Sequence, residues 1–509
     1  MIRFSLKKGM HMKNYRTLIS FKKEKHKNLT LLGLGALSAF AMPPYYILPF
    51  LVLGLSILFY CINTSNKGTK NAMSGFCFGF GFGATGMAWL GNALTVDGST
   101  FAWAIPLVWL GMGILFGIFY ALPALLSTFY PFGMRRLFAF AGWFVIFEWV
   151  RSWILTGFPW NLVSAGLSIS TPMMQSAAIW GVYGLSLVTI LTFCTPAFWP
   201  KKSPMIIAGL FLTVLYLGGL WRLYDAQTDQ VWGVNLRLVQ PNIPQSLKWD
   251  ENKAEEHYSK LIRLSKENNH DITHVIWPES AIPYYIDQDE AERLRLMSAL
   301  RQGATLISGG LRGENLRKRQ IANSIFIVDD LADIKGYYDK FHLVPFGEFM
   351  PMRSLIPLDK IVPIPSDFVR GTGLRTIHIP KAPPASLLVC YEIIFSSQVA
   401  RKDKRPSWLI NVSNNAWYGI SAGPYQYFEM VRLRAVEEGL PIAHASNNGI
   451  SGVIDAYGQT INSLDLGEEG VIDTPLPKAI EATPYAKTGA WPILMLALAL
   501  IVFSAKKRK

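Results

Sequence analysis

The chain has 509 residues, half of them hydrophobic and only 17% charged, with a mean hydropathy of +0.24. That balance argues against a wholly water-soluble protein and fits one partly dissolved in lipid, with room for two or three domains. The net charge of +14 is no nucleic-acid footprint: residues 1–28 hold nine Lys or Arg against Glu24, and the last four residues are all basic, so the ends contribute +8 and +4 and leave +2 for everything between.

In chain order, residues 1–28 read as a basic cytoplasmic N-terminus with no role beyond topology, and Met10 and Met12 leave open a later start. Apolar spans are predicted near 29–43, 45–62, 72–94, 102–129, 137–155, 172–199 and 204–223, with an eighth near 488–504. Pro43-Pro44 marks a tight turn between the first two. Lys67 and Lys70, Arg135 and Arg136, and Lys201 and Lys202 follow spans two, four and six, whereas the loops after spans one and three carry no Lys or Arg. By the positive-inside rule this puts 29–223 in the membrane as seven spans and residues 224–487 outside, with 488–509 as a final span and a basic cytoplasmic tail. Gly75, Gly79 and Gly83 recur every four residues and predict a smooth helix face for close packing. Glu148 and Arg151 are spaced to pair on one helical face.

The outside segment alternates short β-rich stretches at 234–240, 274–277, 304–309, 323–328, 385–389, 407–412 and 451–455 with helical patterns near 251–268, 288–302, 393–402 and 425–438. The order predicts an α/β layered domain with a buried mixed sheet. Three residues there stand at strand ends. Glu279 follows His274–Trp277 and is expected at a sheet edge, Lys340 lies in Tyr338-Asp339-Lys340-Phe341-His342, and Cys390 terminates Leu387-Leu388-Val389. Of the four cysteines, Cys61, Cys77 and Cys194 lie in or beside apolar runs, so Cys390 has no disulfide partner in the polar half. A thiol, a carboxylate base and an ammonium are the parts needed for covalent acyl transfer, and a nearby Lys would depress the thiol's pKa. Singly, each also reads as an ordinary turn, surface or buried residue. His342 reads as structural.

The surrounding words sharpen this. Trp277-Pro278-Glu279-Ser280, the lysine segment ending Pro345-Phe346-Gly347-Glu348, and Cys390-Tyr391-Glu392 resemble, in that order, the nitrilase superfamily of carbon–nitrogen hydrolases. With seven preceding spans the chain resembles the apolipoprotein N-acyltransferase family. Thr156-Gly157-Phe158-Pro159-Trp160, the run Ile243–Asp250, Ser413-Asn414-Asn415-Ala416-Trp417-Tyr418-Gly419, Asn447–Ser451 and Gly489-Ala490-Trp491-Pro492 agree. The resemblance implies a multi-pass helical bundle of about eight spans plus a nitrilase-like α-β-β-α sandwich. It implies Glu279 as general base, Lys340 as oxyanion stabiliser and Cys390 as nucleophile. Glu348 would hold Lys340, Tyr391 and Glu392 would shape the pocket, and Trp249, Asn414, Trp417 and Tyr418 would meet substrate.

The implied reaction moves an acyl chain from a glycerophospholipid, through a Cys390 thioester, to the α-amino group of a diacylglyceryl-cysteine lipoprotein. The site would face the bilayer of a bacterial inner membrane from the periplasm, with apolar lids at Trp417, Tyr418 and the 357–370 loop. A monomer suffices. Asn415, where the family generally has Asp, and His444, where Arg is common, are departures outside the triad. No metal-ligand spacing, phosphate-cradling loop or cofactor signature occurs, so neither metal nor cofactor is expected. The alternatives are a membrane-anchored amidase that hydrolyses a small amide, and a transporter or scaffold; the second would require repeats or mid-membrane ionisable residues that the sequence lacks.

Overall fold

The computed structural model describes residues 23–96, 101–224, 226, 228–315, 320–350 and 368–505. The basic stretch 1–22, the tail 506–509 and the lid segment 357–367 lie outside the described residues. Helices form at all eight apolar stretches: α1 Glu24–Ser38, α2 Leu48–Asn63, α3 Gly68–Gly86, α4 Ile105–Ser127, α5 Met134–Arg151, a short α6 Thr171–Met174 leading to α7 Ala177–Phe193, α8 Ser203–Tyr224, and, at the far end of the chain, Trp491–Ser504. Among the described residues three helical stretches, Ala102–Ser127, Ala177–Phe198 and Ser203–Tyr224, are long and apolar enough to cross a membrane. The middle one is enclosed by its neighbours, whereas the last turns most of its Ile, Leu and Phe side chains outward.

The glycine repeat does what its spacing predicts. A Cβ at Gly79 would stand 2.6 Å from the Phe116 carbonyl oxygen and 2.7 Å from the Tyr120 Cβ on α4, and Gly75 and Gly83 meet Tyr120 and Met112 backbone as closely. The helices touch backbone to backbone, so a side chain there has nowhere to go. Gly79→Leu is expected to lower stability by about 2–3 kcal/mol, read as a lower Tm of the purified chain in detergent; an unchanged Tm would show that α3 and α4 are not in register.

Glu148 and Arg151 correct the sequence reading, because no direct ion pair joins them. Arg151 donates to the Phe158 and Trp160 carbonyls at 3.0 and 2.9 Å and stacks on Phe116, while Glu148 accepts from the Val163 amide at 3.0 Å. Each charge is taken by backbone of the 156–163 loop, which they hold in place together.

Beyond α8 the chain builds two six-stranded sheets. The first contains β1 Gln230–Gln240, β2 His274–Ile282, β3 Thr305–Asn315, β4 Gln320–Asp329 and β5 Ile334–Asp339; the second contains β6 Thr376–Ile379, β7 Ala382–Val389, β8 Trp408–Ser413, β9 Ile442–Ser446, β10 Ser451–Ile454 and β11 Thr460–Leu464, and β12 Gly470–Pro477 returns to the first. The orders are β12-β1-β2-β3-β4-β5 and β11-β10-β9-β8-β7-β6. Within each, three strands run parallel at the centre, β1-β2-β3 and β7-β8-β9, and antiparallel strands flank them.

Strand alternation then sorts the side chains. Leu236, Leu238, Ile276 and Ile307 from one sheet meet Leu387, Val389, Ile410 and Val412 from the other in the central core. On the outer face of the first sheet, Val275, Trp277 and Leu306 pack under α9 Ala254–Lys266 and α10 Glu290–Leu296. On the outer face of the second, Leu388, Leu409 and Ile442 pack under α11 Ala422–Glu438, and that core runs on without a break into the apolar helices. The predicted helical bundle plus α-β-β-α sandwich is what forms.

Two local expectations fail. Residues 393–402 are not a helix: a 3-10 turn over Cys390–Ile394 ends where Ser396 hydrogen-bonds Glu437 and Ser397 takes a positive φ of 64°. Glu279 is not at a sheet edge but on β2, an interior strand. The joint between bundle and sandwich runs through α7, which breaks at Gly181, where a Cβ would strike the ring of Tyr485, a residue of α12 Pro484–Thr488. The freed Val182 amide donates to Glu437 on α11 at 2.8 Å, and Glu437 is paired with Arg434 at 2.9 Å. The closing helix, α13 Trp491–Ser504, packs back against α5.

Candidate active site

The C-terminal ends of parallel strands are where such sheets open a crevice, and the two sheets face each other with those ends together. Glu279 sits where β2 bulges: its register with β3 shifts between Trp277 and Ile282, and Ser280 has a positive φ of 49°. Lys340 is the residue after β5 and Cys390 the residue after β7. Cys390 itself has φ of 47°, a left-handed conformation that costs a non-glycine residue and turns its side chain out of the strand direction.

The three side chains are buried and joined by a dense network. The Lys340 ammonium donates to Glu348 Oε1 at 2.8 Å and lies 3.6 Å from Glu279 Oε1. Asn323 on β4 donates to both carboxylates, at 2.8 Å to Glu279 and 3.1 Å to Glu348. The second oxygen of Glu279 accepts the Asn414 amide at 2.9 Å, and that of Glu348 accepts the Val344 amide at 2.8 Å. Ser413 approaches the Cys390 sulfur at 3.5 Å and Asn415 Oδ1 at 2.5 Å, so its single proton is shared between them. Asn415, the departure from the family pattern, acts there as a neutral acceptor.

Electrostatics corrects one expectation. Burial pushes the Cys390 thiol up to about 12, with Glu279 adding to the rise and Lys340 and Ser413 opposing it. Lys340, whose charge is shared by two carboxylates, does not outweigh burial and Glu279 to produce a standing thiolate. Burial would pull the Lys340 ammonium down, but Glu348, then Glu279 and Cys390, hold it above its usual range. The arrangement suits a reaction in which the thiol proton leaves only as the new bond forms.

The other predicted residues separate into distinct roles. Glu392 does not face the crevice: one oxygen accepts Tyr338 Oη and the Phe341 and His342 amides at 2.8, 2.8 and 3.0 Å, and the other accepts the Val389 amide at 2.8 Å. It ties the Lys340 segment to the Cys390 turn. Burial pushes its carboxyl up, against the bonds from Val389, His342 and Tyr338.

Tyr391 reaches the bundle, donating to the Gly157 carbonyl at 2.7 Å, and His342 Nε2 meets the Thr156 carbonyl at 2.6 Å while its ring stacks on Phe395. Burial drives His342 down to about 4, which agrees with a structural role. Asn414 joins Gln245 and Asn447 through its side chain while its amide orients Glu279. Tyr418 packs edge-on to Trp89 at 4.6 Å between ring centroids, and its carbonyl accepts from Asn92 at 2.7 Å. Burial, then Cys390 and Glu279, raises its hydroxyl well above the ordinary range. Trp417 is half-buried, and Trp249 is 39% exposed on the turn before α9.

Sequence reasoning missed Asn323 and Lys248. Asn323 stands beside Ser324 in an otherwise apolar stretch of β4, and an amide in such a run was the available signal. Lys248 lies in the quoted Ile243–Asp250 run but drew no attention beside Trp249.

Comparison with known proteins agrees with this anatomy. Residues 34–195 match the family model for the apolipoprotein N-acyltransferase N-terminal domain, and residues 235–485 match that for carbon-nitrogen hydrolase. The chain is 35% identical over 504 residues to an apolipoprotein N-acyltransferase of Rhodopseudomonas palustris, covering 93% of this chain and 94% of the relative. It is 35% identical over 508 residues to one of Bradyrhizobium diazoefficiens, covering 94% and 95%. Among solved structures, an amidase from Nesterenkonia sp. AN1 is similar at 18% identity and a TM-score of 0.37, over 52% of this chain and 98% of its own.

Proposed function

Because the chain belongs to the apolipoprotein N-acyltransferase family, we propose that it transfers an acyl chain from a glycerophospholipid to the N-terminal amine of a diacylglyceryl-cysteine lipoprotein through a thioester on Cys390. The observation that carries this is the meeting of Cys390, Lys340 and Glu279 in one buried network whose rim, at Tyr391 and His342, is bonded to Gly157 and Thr156 in the loop that follows α5. In the first half-reaction Glu279 takes the Cys390 proton as sulfur bonds to the ester carbonyl carbon. Lys340 stabilises the oxyanion, the C–O bond breaks, and the proton passes from Glu279 to the departing lysophospholipid oxygen. In the second, the lipoprotein amine attacks the thioester, gives a proton to Glu279 and expels the thiolate, which recovers that proton.

Glu348 and Asn323 hold Lys340 and Glu279 in register, and Asn414 presents the Glu279 carboxylate. Trp249, Trp417 and Tyr418 are assigned to the lipid-facing wall. Both substrates are membrane lipids, so residues 29–223 and 488–504 anchor the catalytic segment 224–487 at the bilayer surface. The charge pattern of the loops supports a periplasmic site on a bacterial inner membrane. One chain carries the whole site, so a monomer suffices.

Mass spectrometry of the purified chain incubated with phospholipid tests the cycle. The expected result is one acyl adduct mapped to Cys390, release of lysophospholipid, and discharge of the adduct by a diacylglyceryl-cysteine peptide to an N-acylated product. Discharge to free fatty acid at the same rate with and without the peptide would instead support hydrolysis, and a folded enzyme with no adduct would refute the thioester.

A further inference from the structure

Lys248 follows the 3-10 turn Gln245–Leu247, and its side chain folds inward to a buried position while the next residue, Trp249, points out. Its ammonium donates to the main-chain carbonyl of Glu279 at 2.8 Å. That carbonyl belongs to the bulge whose following residue, Ser280, carries the positive φ, so the bond fixes the peptide that aims the Glu279 carboxylate. Among the described residues Lys248 forms no ion pair of its own, and its charge acts on Glu279 and Cys390 together.

A charge count shows what this ammonium supplies. With Glu279 and Glu348 ionised, Lys340 alone leaves the buried site with one uncompensated negative charge. When the Cys390 proton moves to Glu279 and the negative charge moves to a carbonyl oxygen, that excess persists, and among buried side chains it opposes the step. A second buried cation cancels it at every stage.

We infer that Lys248 is a positioning residue for the acyl-transfer reaction proposed above, holding the Glu279 peptide in its bulge and supplying the second positive charge that lets the buried site carry an oxyanion. The inference rests on the thioester reading. It has a pH signature. Burial pulls Lys248 down to about 8, against the opposing charges of Glu279 and Cys390. The ammonium is therefore charged below that value and lost above it. His257 on α9 also feels Lys248, but its imidazole is itself held below its usual value and is neutral in this range. The Cys390 thiol titrates near 12, and Lys340 and Tyr418 lie above their ordinary values, so none of these supplies a limb near 8.

The experiment is the initial rate of acyl-adduct formation on Cys390 in the full-length chain with phospholipid, between about pH 6 and 10. The wild type should lose rate as pH rises through about 8. Lys248→Met should be slower by roughly 10- to 100-fold at neutral pH, with its dependence on phospholipid concentration unchanged and no alkaline limb. Lys248→Arg, charged throughout, should recover most of the rate and also lack the limb. A Lys248→Met enzyme with wild-type rate, or a slow one that keeps the limb near 8, overturns the inference. If Lys248→Met fails to fold, Lys248→Arg decides: a limb unmoved from the wild type overturns it. A wild type that never forms the adduct overturns the thioester reading instead, which separates the two failures.

Discussion

Lys340→Met is expected to lower the acylation rate by about 100- to 1,000-fold, because in the proposed reaction it removes the cation that meets the developing oxyanion. It should also destabilise the fold by about 3–5 kcal/mol, the usual consequence of removing one member of a buried ion pair. The structure says why both effects appear. The ammonium lies 2.8 Å from Glu348 and 3.6 Å from Glu279, and only 1% of its side chain is exposed. Without it two carboxylates face each other across Asn323, whose single amide group already donates to both. The stability loss and the rate loss have different origins and should separate. Lys340→Met combined with Glu348→Gln should recover a large part of the Tm, since one of the stranded charges is gone, yet recover none of the rate. A double variant that regained activity would show that Lys340 serves only to neutralise Glu348. The reference is Cys390→Ala, which should form no adduct at all.

Glu392→Ala is expected to inactivate the enzyme without touching any atom that reacts. Its two oxygens take four hydrogen bonds, from Tyr338, Phe341, His342 and Val389, and the residue is buried. At about 1–3 kcal/mol for each buried donor left unpaired, partly relieved by relaxation, the loss should be roughly 3–6 kcal/mol. The damage to function follows from where those donors lie. Phe341 and His342 adjoin Lys340, and Val389 adjoins Cys390, so releasing them uncouples the ammonium from the sulfur. Glu392→Gln keeps one oxygen and should cost less, because its amide oxygen can serve the three-donor side while only the Val389 amide is left facing a donor. Thermal unfolding together with adduct formation on all three proteins checks the order wild type, Gln, Ala. Wild-type adduct formation by Glu392→Ala would mean that the Cys390 turn and the Lys340 segment hold their places independently.

Much of this was legible in the amino-acid order. Long apolar stretches separated by polar or prolyl breaks fold as helices whatever they touch, and the four-residue spacing of Gly75, Gly79 and Gly83 specifies a face on which another backbone can lie. The strands that were visible, β1 to β4, β7, β8 and β10, are β-rich apolar runs, each hydrogen-bonded to a neighbour on both edges. Those that were not visible are short, polar or edge strands. β11, Thr460–Leu464, is nearly all exposed, and β12, Gly470–Pro477, contains two prolines, so neither carries an alternation that local sequence would reveal. The residue words around Glu279, Lys340 and Cys390 survived as local signals because Lys340 and Cys390 directly follow strands and Glu279 sits at a bulge within one.

What the linear order could not decide was partnership. Glu148 and Arg151 stand three apart on one helix, as an ion pair would, but a loop supplied carbonyls and an amide, and each charge went to those instead. Cys390 lies near a lysine, yet its thiol is raised rather than lowered, because burial and the neighbouring Glu279 carboxylate outweigh the pull of an ammonium that also serves Glu348. Asn323 and Lys248 joined the site from positions 67 and 142 residues before Cys390, distances over which no local pattern can speak. The long helices and the apolar strands follow from forces acting within a few residues, and the sequence determined those almost alone. The ownership of each buried charge depends on which groups packing brings within about 3–4 Å, where low dielectric makes the choice decisive, and only the tertiary structure made it.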